Sequence, residues 1–346
     1  MKIVLKRRTV QFMAEALAVF YMGIVAFAAH ASGVSLLLFP ELAALSHNVI
    51  SRPKGKWASQ PWLLVLTPTS TAIVGLFLTR HASYGAIVIA LIVLLSLLVL
   101  KVFRSAVAPA ISAGVLPMVL GEKSWVYPAA IFVDLASLVA VMLLWRRFHP
   151  GSDKPIQSEG VHSRLVDALE APPRDRYWLF VLLSFVLVVG ASAQLSGLRF
   201  LLFPPLIVMA YEIFGHSEVP RWMARPALFP LVCLLTASLG TIACHTSKGG
   251  VLGVVVTMMG SIGILRIFKV HMPPALAVGL LPFVMVSPNF RYPLSVTIGT
   301  IALTLYSMGN AHLRGTNRRQ PQDGDDAQLA VALSETEGCA TPVLRR

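Results

Sequence analysis

The chain has 346 residues, 56% of them hydrophobic and only 13% charged, with a mean hydropathy of +0.72. That composition excludes an ordinary soluble domain and marks an integral membrane protein. Its formal charge of +13 comes from 29 bases against 16 acids, but the bases cluster at the ends of apolar runs, as the positive-inside rule requires and a nucleic-acid-binding surface does not.

The runs are apolar all round and do not alternate with period two, so they read as helices and not as barrel strands. The first, Thr9 to Ala29, follows the basic residues Lys2, Lys6, Arg7 and Arg8; Glu15 interrupts it, which makes it a retained membrane helix and not a signal peptide. "LLLFPELAAL" opens a shorter proline-bearing segment, 33–49, which holds Glu41. Long runs follow at 60–79 and 83–101, the first of them carrying the hydroxyls of "TPTST" beside Pro68. Those hydroxyls either bond back to their own helix or line a polar path. A second short segment at 106–121 contains "APAISAGVLP", and a long run at 126–145 holds Asp134 in "AAIFVDLASLVAV".

A polar stretch with both charge signs, 150–175, reads as a linker, and the same order of long and short runs then returns over 176–314. The tail, 315–346, is rich in Gln, Asp, Gly and Glu and reads as disordered. Cys233, Cys244 and Cys339 form no CxxC pair and no Cys/His zinc spacing.

The return is a repeat in register. "APAISAGVLP" at Ala108 to Pro117 faces "PPALAVGLLP" at Pro273 to Pro282 with an offset of 165, and five of the ten positions are identical. At the same offset "KVFR" (Lys101 to Arg104) faces "RIFK" (Arg266 to Lys269), Gly75 faces Gly240, and Tyr127-Pro128 faces Tyr292-Pro293. With one residue of slippage Gly33 faces Gly197 and Pro40 faces Pro204. The expected fold is therefore an all-α integral membrane protein of two tandem helical repeats, 1–149 and 176–314, each with four long and two short helices, giving about 8–12 crossings. The Lys and Arg positions favour the higher count, with the short segments crossing and both termini cytoplasmic. Either count per copy is even, so the copies share one orientation, related by a pseudo-twofold axis along the membrane normal.

The repeat unit resembles the HPP family of small integral membrane proteins. The resemblance rests on "LLLFPELAAL", on "QPWLLVLTPTSTAIVGLFLTR", on "FRSAVAPAISAGVLPMVLG", and on their counterparts in the second copy, "LLFPPLIVMA", "RPALFPLVCLLTASLGTIAC" and "FKVHMPPALAVGLLPFVM". It covers both halves. Val107-Ala108-Pro109 stands in the first copy where the family has His-Pro-Pro, and in the second Met272 precedes Pro273-Pro274 with His271 displaced by one residue. Some organellar and cyanobacterial members have been proposed as nitrite transporters, so the resemblance implies passage of a small anion.

From the residues themselves, Pro109 and Pro273 each begin an apolar helical run, and the amides and dipole of such an N-terminus favour an anion. Arg104, Ser105 and Ser112 accompany the first; Lys269, His271 and Pro274 accompany the second. The plain alternative is a helix start with interfacial bases. Gly114 and Gly279 offer small faces for close helix packing. Glu41 and Asp134 are carboxyls within apolar runs and the candidates for proton coupling; they face Pro205 and Gly299 in the second copy. No Walker A, GxSxG, HExxH or paired-carboxylate metal motif occurs, so neither an enzyme nor a metal or cofactor site is expected. The expected function is a transporter or channel for a small solute, an inorganic anion by preference, in a bacterial inner membrane. Its partners would be the bilayer and the solute, with a homo-oligomer left open. The contrasting class is a membrane scaffold that binds lipid or a partner.

Overall fold

A computed structural model describes residues 2–53, 55–148, 177–215 and 227–317. The linker at 150–175, the bases Arg221 and Arg225, and the tail beyond 317 lie outside the described residues. The described residues are helical, with no strand among them. The chain divides into two units, Met1–Leu305 and Tyr306–Arg346. In the second, the described part is the end of the last helix, which runs to Asn317, three residues beyond the boundary at 314 drawn from the sequence.

The first part of the chain holds α1 (Lys2–Ser32), α2 (Glu41–Ser51), a single turn α3 (Lys56–Ser59), α4 (Pro61–His81), α5 (Ala86–Phe103), α6 (Pro109–Leu120) and α7 (Val126–Phe148). The second holds α8 (Tyr177–Ser196), α9 (Pro204–Gly215), α10 (Leu228–Ser247), α11 (Val251–Ile267), α12 (Pro274–Leu280) and α13 (Arg291–Asn317). Six helices among the described residues are long and apolar enough to cross a membrane: α1 from Thr9, α4, α5, α7, α8 and α10. The outward faces of these helices are apolar, with Phe20, Phe27, Trp62, Ile87 and Leu195 all exposed. In water that surface would be costly; it is the surface a bilayer covers. The chain is a multi-pass membrane protein.

Proline starts the helices where sequence logic puts it. Pro61, Pro109 and Pro274 occupy first-turn positions of α4, α6 and α12, where a missing N–H costs nothing. The short helices α2 and α6 extend only about 16–18 Å, roughly half of the ~30 Å hydrocarbon core. All but two residues of α2 and all but one of α6 are buried. They lie at the centre: α2 packs on α12 and α6, and α9 packs on α6 and α12. Around them α1 packs on α11, and α5 on α8. Each of these contacts between the two parts thus has a counterpart made by the other members of the repeat register.

Local geometry also recurs at the offset of the sequence repeat. The turns after α5 and α11 both place a base in the left-handed region, Arg104 at φ 52° and Lys269 at φ 53°. Both turns are closed by the amide that follows, Ser105 N–H donating to Leu100 O (2.9 Å) and Val270 N–H to Leu265 O (3.0 Å), a Schellman-type ending. Gly33 and Gly197, each at φ 70°, end α1 and α8.

Candidate functional site

The centre is built on the packing of α6 against α4. Along α4, Thr67, Thr71, Gly75 and Thr79 recur every four residues and form one buried, small-residue face. The approach at Gly75 is so close that a Cβ there would be driven into the backbone carbonyl of Gly114. A Cβ on Gly114 would in turn lie 2.5 Å from Ser96 Oγ. In the second half Gly240 meets the Gly279 carbonyl in the same way, and a Cβ on Gly279 would come within 2.9 Å of Ser261 Oγ. Gly114 and Gly279 are therefore contact points between backbones.

Proline inside a helix leaves the carbonyl four residues earlier without its donor. Pro117 does this to Ala113 and Pro282 does it to Val278. The hydroxyls of two fully buried tyrosines take the donors' place: Tyr127 Oη donates to Ala113 O (2.7 Å) and Tyr292 Oη to Val278 O (2.6 Å). From α4, Thr71 Oγ1 donates to Ala110 O at 2.6 Å, so α6 is held by side chains of the helices on either side of it.

Into this apolar, tightly held centre the chain sets one acidic group. Glu41 begins α2 and is 2% exposed. Ser112 of α6 donates its hydroxyl to Glu41 Oε1, while Oε2 is buried with no hydrogen-bond partner among the described residues. Its helix packs on α6 and α7 of the first half and on α12 of the second. In the register of the repeat Pro205 stands opposite Glu41 and Ala277 opposite Ser112, so the bonded pair occurs on one side only.

Asp134 is a second buried carboxyl, 3% exposed, on α7. Its backbone oxygen accepts from Tyr21 Oη of α1 at 2.7 Å, and its Oδ2 is buried without a partner among the described residues. Five hydroxyls share that condition, those of Ser51, Thr67 and Ser96 in the first half and of Thr257 and Ser261 in the second. Buried polar atoms left unpaired are costly, and in a membrane interior they point to function.

The residues expected to bind an anion fall into two groups. Ser105, Pro109, Ser112 and Pro274 are buried, and His271 and Pro273 are half-buried. Arg104 and Lys269 are exposed, because each terminates a helix and so sits at its negative end. Sequence reasoning paired Glu41 with Asp134 as acids and Ser112 with the anion set; the bond between Glu41 and Ser112 joins residues 71 positions apart, which no local spacing reports. Among the described residues no group of three His, Cys, Asp or Glu could hold a metal. No family model matches the chain, and no curated protein and no solved structure matches it.

Proposed function

We propose that the protein is a transporter or channel for a small solute, formed by two duplicated repeats of HPP-like sequence. The repeats share one orientation in a bacterial inner membrane, with both termini cytoplasmic. The observation that carries this reading is Glu41: a buried carboxyl with one oxygen bonded by Ser112 and the other unpartnered among the described residues, where short helices of both halves meet. Half-length helices that meet inside the bilayer are a recurrent way of building a solute site.

A carboxylate at that place repels an anion; a protonated one donates a hydrogen bond to it. If the solute is an inorganic anion such as nitrite, as the family resemblance suggests, its passage beside Glu41 requires a proton on that side chain, and proton and anion move together. Asp134, whose Oδ2 is likewise unpartnered among the described residues, serves as a further station for the proton. The exposed Arg104 and Lys269 draw the anion to the surface.

The glycine-to-backbone crossings at Gly75–Gly114 and Gly240–Gly279 favour a second reading, a rigid membrane scaffold with no solute path. Flux separates the two. In proteoliposomes, nitrite uptake by the wild type should rise with an inward proton gradient. Glu41→Gln should keep the fold, lose the pH dependence and slow uptake roughly tenfold or more. Absence of uptake of nitrite and of other small anions by folded wild type, at every gradient, would establish the scaffold reading instead.

A further inference from the structure

On the lipid-facing side, α1 and α11 border an open groove of about 670 Å³, within the range of roughly 300–1,000 Å³ typical of small-molecule sites. Its walls are apolar, with Phe12, Phe20 and Phe27 on one side and Val255, Met259 and Ile262 on the other. Glycines at positions 23 and 263 leave it open: a Cβ on Gly263 would meet nothing within 4 Å. One end is polar. There Arg266 forms an ion pair with Glu15, and a second space of about 550 Å³, lined by Thr9, Gln11, Phe12 and Arg266, adjoins it.

The matching junction of α5 and α8 does not share this form. In the repeat register Leu98 stands for Gly263 and Leu187 for Gly23, so the α5–α8 junction carries an exposed leucine at each position where the groove has a glycine. There Gly190 is packed against Ala86, whose Cβ would lie 3.1 Å from an added methyl. The polar end is likewise particular to one side, since Leu179 faces Glu15. A junction with glycine at both of these positions and an ion pair at one end offers an amphiphile an apolar length and a polar end.

We infer that this groove holds one phospholipid, an acyl chain lying between α1 and α11 and its phosphate on the guanidinium of Arg266. From Phe12 to Phe27 the groove runs about 22 Å along α1, enough for the ~15 Å depth of one leaflet. Glu15, only 9% exposed at its side chain, engages one terminal nitrogen of Arg266, whose side chain is 51% exposed. The guanidinium carries five N–H donors in a fork that suits phosphate oxygens, so the ion pair orients it and leaves donors for the headgroup.

The test uses the full chain in phosphatidylglycerol vesicles doped with a phosphatidylglycerol that bears a photoreactive group in one acyl chain. Labelling is mapped by peptide mass spectrometry, in parallel with a diacylglycerol probe that lacks phosphate. The expected result is phospholipid label on α1 and α11 around Gly23 and Met259, falling roughly tenfold in Gly263→Leu, at a position where an added Cβ meets nothing within 4 Å. Equal labelling in a Gly263→Leu protein of unchanged helicity and melting temperature overturns the inference, as does recovery of the same α1 and α11 peptides crosslinked to a second copy of the chain. Glu15→Gln/Arg266→Gln, which removes both charges together, should lower labelling by the phospholipid and not by the diacylglycerol. A double variant that leaves phospholipid labelling unchanged overturns the role given to the phosphate.

Discussion

Ala113 and Val278 illustrate how single side chains hold this protein together. Pro117 and Pro282 deprive their carbonyls of a helical donor, and Tyr127 and Tyr292 restore it from ten residues beyond the proline, across a helix boundary. In lipid there is no water to take over the task. Tyr127→Phe should therefore leave a buried acceptor unpaired and destabilise the protein by about 1–3 kcal/mol. Combining it with Pro117→Ala, which returns the N–H to the helix, should cancel most of that loss. A double-mutant cycle of melting temperatures in detergent checks this, and simple additivity of the two changes would contradict it. Proline and tyrosine were both visible in the sequence as members of the repeat, but their partnership was not, because the bond depends on where the first turn of α7 comes to lie beside α6.

Between elements, the crossings of α4 with α6 and of α10 with α12 are set by Gly75, Gly114, Gly240 and Gly279. The two members of each pair are not equivalent. A methyl on Gly75 or Gly240 strikes a backbone carbonyl, which cannot move out of the way, whereas a methyl on Gly114 or Gly279 meets first the side-chain oxygen of Ser96 or Ser261. Gly75→Ala should accordingly cost about 1–3 kcal/mol or more by overpacking, and Gly114→Ala in a Ser96→Ala background should cost less. Thermal unfolding of the purified variants would reveal the order, and an equal effect of the two would argue against backbone contact at Gly75. The packing role of Gly114 and Gly279 was legible from small residues in an apolar helix; their partners Gly75 and Gly240 were seen only as repeat markers. Arg104 and Lys269 went the other way. Read along the chain they precede Pro109 and Pro274 and look like companions of a helix start, but in space they close the preceding helix in the left-handed conformation.

At the scale of the whole molecule, the helices of the two parts interlock: α1 lies on α11, α5 on α8, α2 on α12 and α6 on α9. The two parts differ in chemistry both inside and outside: at the centre Glu41 and Ser112 face Pro205 and Ala277, and on the lipid-facing side Gly23 and Gly263 stand in for Leu187 and Leu98. The proposed even number of crossings in each copy predicts termini on the same side, and the proposed orientation puts both in the cytoplasm. Cys339 in the tail and a cysteine introduced by Lys2→Cys should both be shielded from an impermeant maleimide in intact cells and react after permeabilisation. Cys233 and Cys244 are buried and should stay silent. Labelling of the two terminal sites from opposite faces would rule out the even count.

The amino-acid sequence by itself determined that this is a helical membrane protein, where its long runs lie, and where proline and glycine interrupt them. Those properties follow from hydropathy and backbone conformation, which act over a few residues. Only the tertiary structure decided that the short segments become the buried centre, that Ser112 reaches Glu41, and that α1 and α11 leave an open groove between them. Each of these depends on which side chain a helix presents to a neighbour far away in sequence, and in an all-apolar helix with little amphipathic pattern the sequence carries scant information about that face.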